Sequence, residues 1–204
     1  LRELMLSCSE TLKDQDCTLI GGHSAESEDL TFGLCVNGFI EQERMLTKNG
    51  MQRGDILILT NPLGTGTLLA ADMRSKASHH DIKNALREMA MSNRVASTIF
   101  TELGATSCTD ITGFGLAGHL TEMLSADNVE VELILKNIPA LSGSLEALKQ
   151  KIFSSLHADN SVASRNILNQ KAFTQNLKYQ LLFDPQTSGG LLASIPHELA
   201  ELCL

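Results

Sequence analysis

Met5, Cys8 and Leu12 recur at helical spacing near the start of the chain, which predicts an amphipathic helix over 1–12. Residues 16–20 read as a short strand entering Gly21-Gly22-His23-Ser24, and an acidic loop over 25–29 follows. Residues 32–40 are apolar and β-branched enough for a second strand, weakened at Gly33 and Gly38. The polar stretch 47–54 contains Gly50 and Gly54 and reads as a linker. Beyond it, Ile56-Leu57-Ile58-Leu59 predicts a buried strand, Asn61-Pro62-Leu63-Gly64 a turn, and 65–73 a helix. Val95, Ala96, Ile99 and Leu103 form one stripe of a helix over 92–103, stopped by Gly104. A strand over 105–111 follows, then a helix marked by Leu116, Leu120, Met123 and Leu124. Residues 129–135 alternate as an edge strand would, 145–152 suit a helix, and 161–176 show no clear period. Strands are expected over 179–183 and 190–195, around a Pro/Gly-rich turn at 184–190.

These strand–turn–helix units, without internal repeats, predict a layered α/β or α+β domain. The segment ahead of the linker reads as the tail of a different domain. The expected organisation is therefore 1–46, a linker over 47–54, and a second domain over 55–204. The chain opens inside a helix and closes, over 197–204, on a helix cut short, so both ends read as cuts through structure.

Composition narrows the function classes. The 204 residues are 43% hydrophobic and carry a formal charge of -8, which argues against a nucleic-acid surface but leaves a nucleotide held through metal and backbone amides open. No apolar run approaches the roughly 20 residues of a membrane span, and no signal peptide is visible. The five cysteines, Cys8, Cys17, Cys35, Cys108 and Cys203, form no CxxC pair, and buried reduced thiols are expected.

Three segments could carry chemistry. Gly21-Gly22-His23-Ser24 allows close backbone approach to an anion, or is a tight turn. In Thr109-Asp110-Ile111-Thr112-Gly113-Phe114-Gly115-Leu116-Ala117-Gly118-His119-Leu120 a carboxylate ends a strand and a Gly-rich turn opens a helix. Asp110 could hold Mg²⁺ against phosphate there, with the helix amides adding to the site. The competing reading makes Asp110 or Thr112 a helix cap and His119 a packed or solvent-facing residue. Asp184-Pro185-Gln186-Thr187-Ser188-Gly189-Gly190 is neither a Walker A loop nor a nucleophile elbow, and a structural turn seeding the next strand explains it equally well. His79-His80 lacks zinc-site company, and Glu26, Glu28 and Asp29 suit a solvated loop.

Taken in order with Phe32-Gly33-Leu34 and Asn61-Pro62-Leu63-Gly64-Thr65-Gly66, these segments resemble a selenophosphate synthetase (selenide, water dikinase) over nearly the whole chain. The Asp110 and Asp184 segments are the specific ones. The wider superfamily includes aminoimidazole-ribonucleotide synthetase and thiamine-monophosphate kinase. The resemblance implies an α+β fold, the C-terminal domain of the aminoimidazole-ribonucleotide synthetase-like type, with a layered mixed sheet, preceded by the tail of the ATP-binding domain. It implies synthesis of selenophosphate from selenide and ATP with release of AMP and phosphate, Mg²⁺ as cofactor, a cytoplasmic homodimer, and no nucleic-acid or membrane partner. Asp110 matches a metal-binding aspartate of the family, and Gly21, Gly22, His23 and Ser24 match a loop contacting ATP. The family's reactive Cys or selenocysteine and its neighbouring Lys have no counterpart here, so no catalytic residue is assigned and the chain alone is expected to be inactive. Another ATP-dependent enzyme of the superfamily, or a non-catalytic module keeping the fold, are the alternatives.

Overall fold

The computed structural model describes residues 1–125, 127 and 129–204. The chain divides into two compact units, Leu1–Glu41 and Gln42–Leu204.

In the first unit, helix α1 (Arg2–Asp14) forms where the helical spacing predicts it, with Glu3 in its first turn and Lys13 in its last, both favourable to the helix dipole. The strands expected over 16–20 and 32–40 do not form. Their β-branched and aromatic residues are present, but a strand is completed only by a partner's ladder, and none arises within this unit. Ile20, Leu34, Val36, Phe39 and Ile40 are consequently exposed.

The second unit is built on three strands, β1 (Ile56–Leu59), β2 (Ser107–Asp110) and β3 (Leu191–Ile195), in the order β1-β3-β2. Both outer strands run antiparallel to β3, with Leu57 opposite Ser194 and Cys108 opposite Ala193. The helices of this unit are α2 (Thr65–Asp72), α3 (His79–Met89), α4 (Arg94–Glu102), α5 (Gly115–Leu124), α6 (Ser144–Lys149), α7 (His157–Asn160) and α8 (Leu177–Leu181). The architecture is α+β, as expected.

Period-2 alternation sends the two sets of sheet residues to two cores. Leu57, Leu59 and Leu192 pack with Leu116, Leu120 and Met123 of α5 and with Tyr179 and Leu181 of α8. Ile58, Leu191, Ala193 and Ile195 pack instead with Phe100 of α4 and with Ala200. A sheet covered on both faces needs apolar residues at consecutive positions of its central strand, and every residue of Leu-Leu-Ala-Ser-Ile is buried.

Two local readings are corrected. Residues 179–183, expected as a strand, lie in and after α8, whose N-cap Asn176 accepts a hydrogen bond from the Lys178 amide. A short apolar run suits a buried helix as well as a buried strand, and the cap decided between them. Residues 129–135 do alternate between half-buried and exposed, and Val129, Val131 and Leu133 pack on the first core, but no ladder forms. The stretch 47–54 is attached to the second unit. Thr47 O accepts from the Cys108 amide, Asp127 accepts from the Gly50 and Met51 amides, and Met51 is buried.

Helix α3 opens with His79 and His80 behind a reciprocal cap. Ser78 Oγ accepts from the Asp81 amide at 3.1 Å and donates to Asp81 Oδ2 at 2.6 Å. Ser78→Ala is expected to lower stability by about 1 kcal/mol, read as a shift in urea midpoint at unchanged slope.

Candidate functional site

The antiparallel pairing brings the C-terminal ends of β1 and β2 and the N-terminal end of β3 to one end of the sheet. The three motif segments of this unit therefore meet there: Thr60-Asn61 after β1, Asp110 to Gly115 after β2, and the 184–190 turn before β3.

The 184–190 turn caps helix α2. Gly64, the N-cap residue of α2, has no side chain to satisfy the first amides of the helix. Gln186 Oε1 accepts instead from the Gly64 and Thr65 amides at 3.0 and 3.3 Å, and Pro185 O accepts from the Gly66 amide at 3.1 Å. Asp184 Oδ1 accepts from the Thr67 hydroxyl at 2.7 Å. Asp184 is 0% exposed. Burial pushes its carboxyl up to about 6, against the hydrogen bonds from Thr67, Gln186 and Gly66 that stabilise the anion. Asp184 and Gln186 thus turn their polar groups inward onto α2, while Thr187 and Ser188 are exposed and Ser188 donates to Met89 O at 2.7 Å.

The N-terminus of α5 is likewise occupied. The Gly115 amide donates to Thr112 O at 3.0 Å and the Ala117 amide to Leu182 O at 2.8 Å, and Gly115 and Leu116 are buried. Two of the amides at this helix start are thus already engaged by carbonyls of the same unit.

Asp110 remains. It is exposed at the end of β2, and among the described residues its carboxylate carries no hydrogen bond or ion pair. Its backbone, in contrast, is held closely: the Ile111 amide donates to Gly190 O at 2.9 Å, and Thr112 O accepts from the Gln186 amide at 2.9 Å. A free carboxylate on a fixed turn fits one ligand of a Mg²⁺ ion, which takes one or two protein carboxylates and draws the rest of its shell from phosphate and water. Among the described residues no group of three or more His, Cys, Asp or Glu is arranged to hold a metal by itself.

His119 is packed, one of the two positions the sequence left open. It is 4% exposed. Its Nε2 accepts from the Thr112 amide at 3.1 Å and lies 3.2 Å from the Thr112 hydroxyl. Burial pulls its imidazole below the usual range, while Glu122 and Asp110 act to raise it and Lys48 to lower it. Glu122 stands one helical turn on, at i+3, and Lys48 Nζ donates to its Oε2 at 2.7 Å. Sequence reading missed both partners. The i,i+3 spacing on a helix could have pointed to Glu122, whereas nothing in the sequence links position 48 to position 122.

All five cysteines are free thiols, but Cys35 is exposed and the other four are only partly buried, which corrects the expectation of buried thiols. Cys108, two residues from Asp110, is pushed up to about 11 by burial and by the Asp110 charge, so it stays protonated near neutrality and is no nucleophile. Gly21, Gly22, His23 and Ser24 lie in the first unit, without regular structure and exposed. Open space surrounds both glycines. Glu26, Glu28 and Asp29 are exposed, as a solvated loop should be. No described helix is long and apolar enough to cross a membrane.

A three-stranded antiparallel sheet between helical layers, with a free carboxylate on a pinned Gly-rich turn, is the frame that comparison with known families identifies. Residues 52–204 match the family described as AIR synthase related protein, C-terminal domain, and the chain belongs to that family. More particularly, it is similar to curated proteins named selenide, water dikinase. It is 36% identical over 200 residues to the one from Bdellovibrio bacteriovorus, covering 97% of this chain and 57% of the relative. It is 36% identical over 203 residues to the one from Pelobacter propionicus, covering 99% and 58%. The chain spans under two thirds of these relatives' length. A solved thiamine-monophosphate kinase from Stenotrophomonas maltophilia K279a shares the fold at a TM-score of 0.54 and 15% identity, over 80% of this chain and 46% of that one.

Proposed function

We propose that this chain is the C-terminal portion of an enzyme that makes selenophosphate from selenide and ATP, with release of AMP and phosphate. The observation that carries the reading is the match to proteins named selenide, water dikinase along 97–99% of the chain. In this reading Asp110 supplies one ligand to Mg²⁺ bound to the ATP phosphates. When bound, the ion neutralises phosphate charge and orients the triphosphate. Gly21, Gly22, His23 and Ser24 contact ATP through open backbone, in keeping with their exposure and the empty space around both glycines. The full-length protein works as a homodimer in the cytoplasm. The segments 1–46 and 55–204 belong to its ATP-binding and C-terminal domains, joined through 47–54.

One carboxylate cannot hold a triphosphate for reaction, so the chain alone is expected to release no AMP. The full-length protein, assayed anaerobically with ATP and Mg²⁺, is expected to form AMP only when selenide is present, with a matching amount of selenophosphate seen by phosphorus NMR. Asp110→Asn in that protein should lower the rate at least tenfold while leaving the melting temperature unchanged, since the carboxylate supports nothing in its own unit. AMP formation indifferent to selenide, or phosphorylation of a thiamine or purine precursor instead, would overturn the assignment.

A further inference from the structure

His119 has an arrangement that packing alone does not require. Its Nε2 receives the Thr112 amide at 3.1 Å, which is possible only when that nitrogen carries no proton. The ring proton therefore sits on Nδ1. That atom is buried without a hydrogen-bond partner, and it faces Glu122 Oε2 at 3.6 Å, too far for a hydrogen bond. A negative charge on that side favours the tautomer protonated at Nδ1, and Lys48 holds Glu122 in place at 2.7 Å. The chain of contacts thus runs from Lys48 through Glu122 and the imidazole to the backbone two residues after Asp110.

We infer that His119 is a positioning residue for the Asp110 carboxylate: its unprotonated Nε2 holds the Thr112 amide, and Glu122, anchored by Lys48, fixes the ring that does so. The inference rests on the reading of Asp110 as a metal ligand. The two amides following Asp110 are both pinned, Ile111 to Gly190 O and Thr112 to the imidazole. Asp110 is the last residue of β2, and past it Thr112 O accepts from the Gln186 and Gly115 amides, so the imidazole holds the amide side of a residue whose carbonyl side is fixed separately. Removing the imidazole acceptor leaves the Thr112 amide unsatisfied beside buried Ile111, and the turn must shift to find water or another acceptor. Groups that orient a metal ligand from behind typically control affinity by about 10–100-fold.

Two measurements test this. Long-range proton–nitrogen correlation spectra of the 204-residue chain should show His119 protonated at Nδ1 and bare at Nε2; the opposite tautomer overturns the inference. In the full-length protein with a non-hydrolysable ATP analogue, Mn²⁺ binding followed by electron paramagnetic resonance should weaken about 10–100-fold in His119→Leu. In His119→Gln, whose amide oxygen reaches the Nε2 position, it should stay within about threefold of the parent. Unchanged Mn²⁺ binding in His119→Leu, or equal losses in Leu and Gln variants, overturns the positioning role while a weakened Asp110→Asn protein keeps the metal reading alive. If Asp110→Asn binds Mn²⁺ as the parent does, the metal reading falls first and this role falls with it.

Discussion

Asp184→Ala is expected to destabilise the second unit by about 3–5 kcal/mol, because the truncation strips acceptors from a sealed site. The Thr67 hydroxyl at 2.7 Å and the Gln186 amide at 3.1 Å both lose their carboxylate partner, and neither is open to water. Asp184→Asn separates charge from shape. Its oxygen can still accept from Thr67, but its NH₂ then faces the Gln186 NH₂. Gln186 cannot turn over, since its Oε1 is committed to the amides of Gly64 and Thr65. The Asn variant should therefore cost about 1–2 kcal/mol near pH 4.5. The sign of the pH effect follows from the raised carboxyl. Between its usual 3.8 and about 6 the native state holds a proton that the unfolded chain has released, so stability from this group is full below 3.8 and is lost as pH rises through 6. The whole rise corresponds to about 3 kcal/mol. Buried His119 and His157, both pulled down by burial, act oppositely: their contribution is present above 6.5 and lost as pH falls below it. Comparing parent and Asp184→Asn by urea unfolding at pH 4.5 and pH 7 cancels the histidines. The deficit of the Asn variant should shrink or reverse by about 2 kcal/mol at the higher pH. A parent–variant difference that does not move with pH would show that Asp184 is not held protonated-side by burial.

Most of the second unit was legible because its elements carry their own periodicity. Ile56–Leu59 and Leu191–Ile195 are largely apolar runs bounded by turn residues, the polar Ser107–Asp110 ends a segment that a Gly-rich turn follows, and α4 and α5 show clean stripes. What escaped depended on partners distant in sequence. The apolar run at 179–183 does not say helix or strand by itself. The strands expected at 16–20 and 32–40 have the right residues, yet a ladder is a property of two segments, not one. The candidate site divides in the same way. Asp110 was visible as a carboxylate at the end of a strand. The start of α5 beside it looked inviting for phosphate, because Gly-rich turns before helices look alike whether their amides face a ligand or another loop. Only the fold shows Asp184, Pro185 and Gln186 closing α2, and Thr112 and Leu182 closing α5. With those groups engaged, the Asp110 carboxylate stands out in its segment as an exposed charge without a hydrogen bond or ion pair among the described residues.

Gly189 before β3 and Gly113 after β2 give the sharpest contrast between a glycine needed for space and one that is not. A Cβ at Gly189 would run into the carbonyl of Ile111 and come within 3.0 Å of Gln186 Cβ. Neither neighbour can yield cheaply: the Ile111 amide is bonded to Gly190 O, and Gln186 is held by α2. Gly189→Ala is therefore expected to cost about 3 kcal/mol, at the upper end of overpacking penalties. It should also disturb Asp110, whose peptide leads directly into Ile111. Gly113, two residues before Gly115 in the turn after β2, has nothing within 4 Å of where a Cβ would stand. Gly113→Ala should change stability by less than about 0.5 kcal/mol. Urea unfolding of the two variants side by side measures the difference. In the full-length protein, Gly189→Ala should additionally weaken Mn²⁺ binding while Gly113→Ala does not, since only the first moves the backbone that carries the carboxylate. Equal stability of the two variants would mean that the 184–190 turn does not bear on the Asp110 turn as closely as the geometry requires.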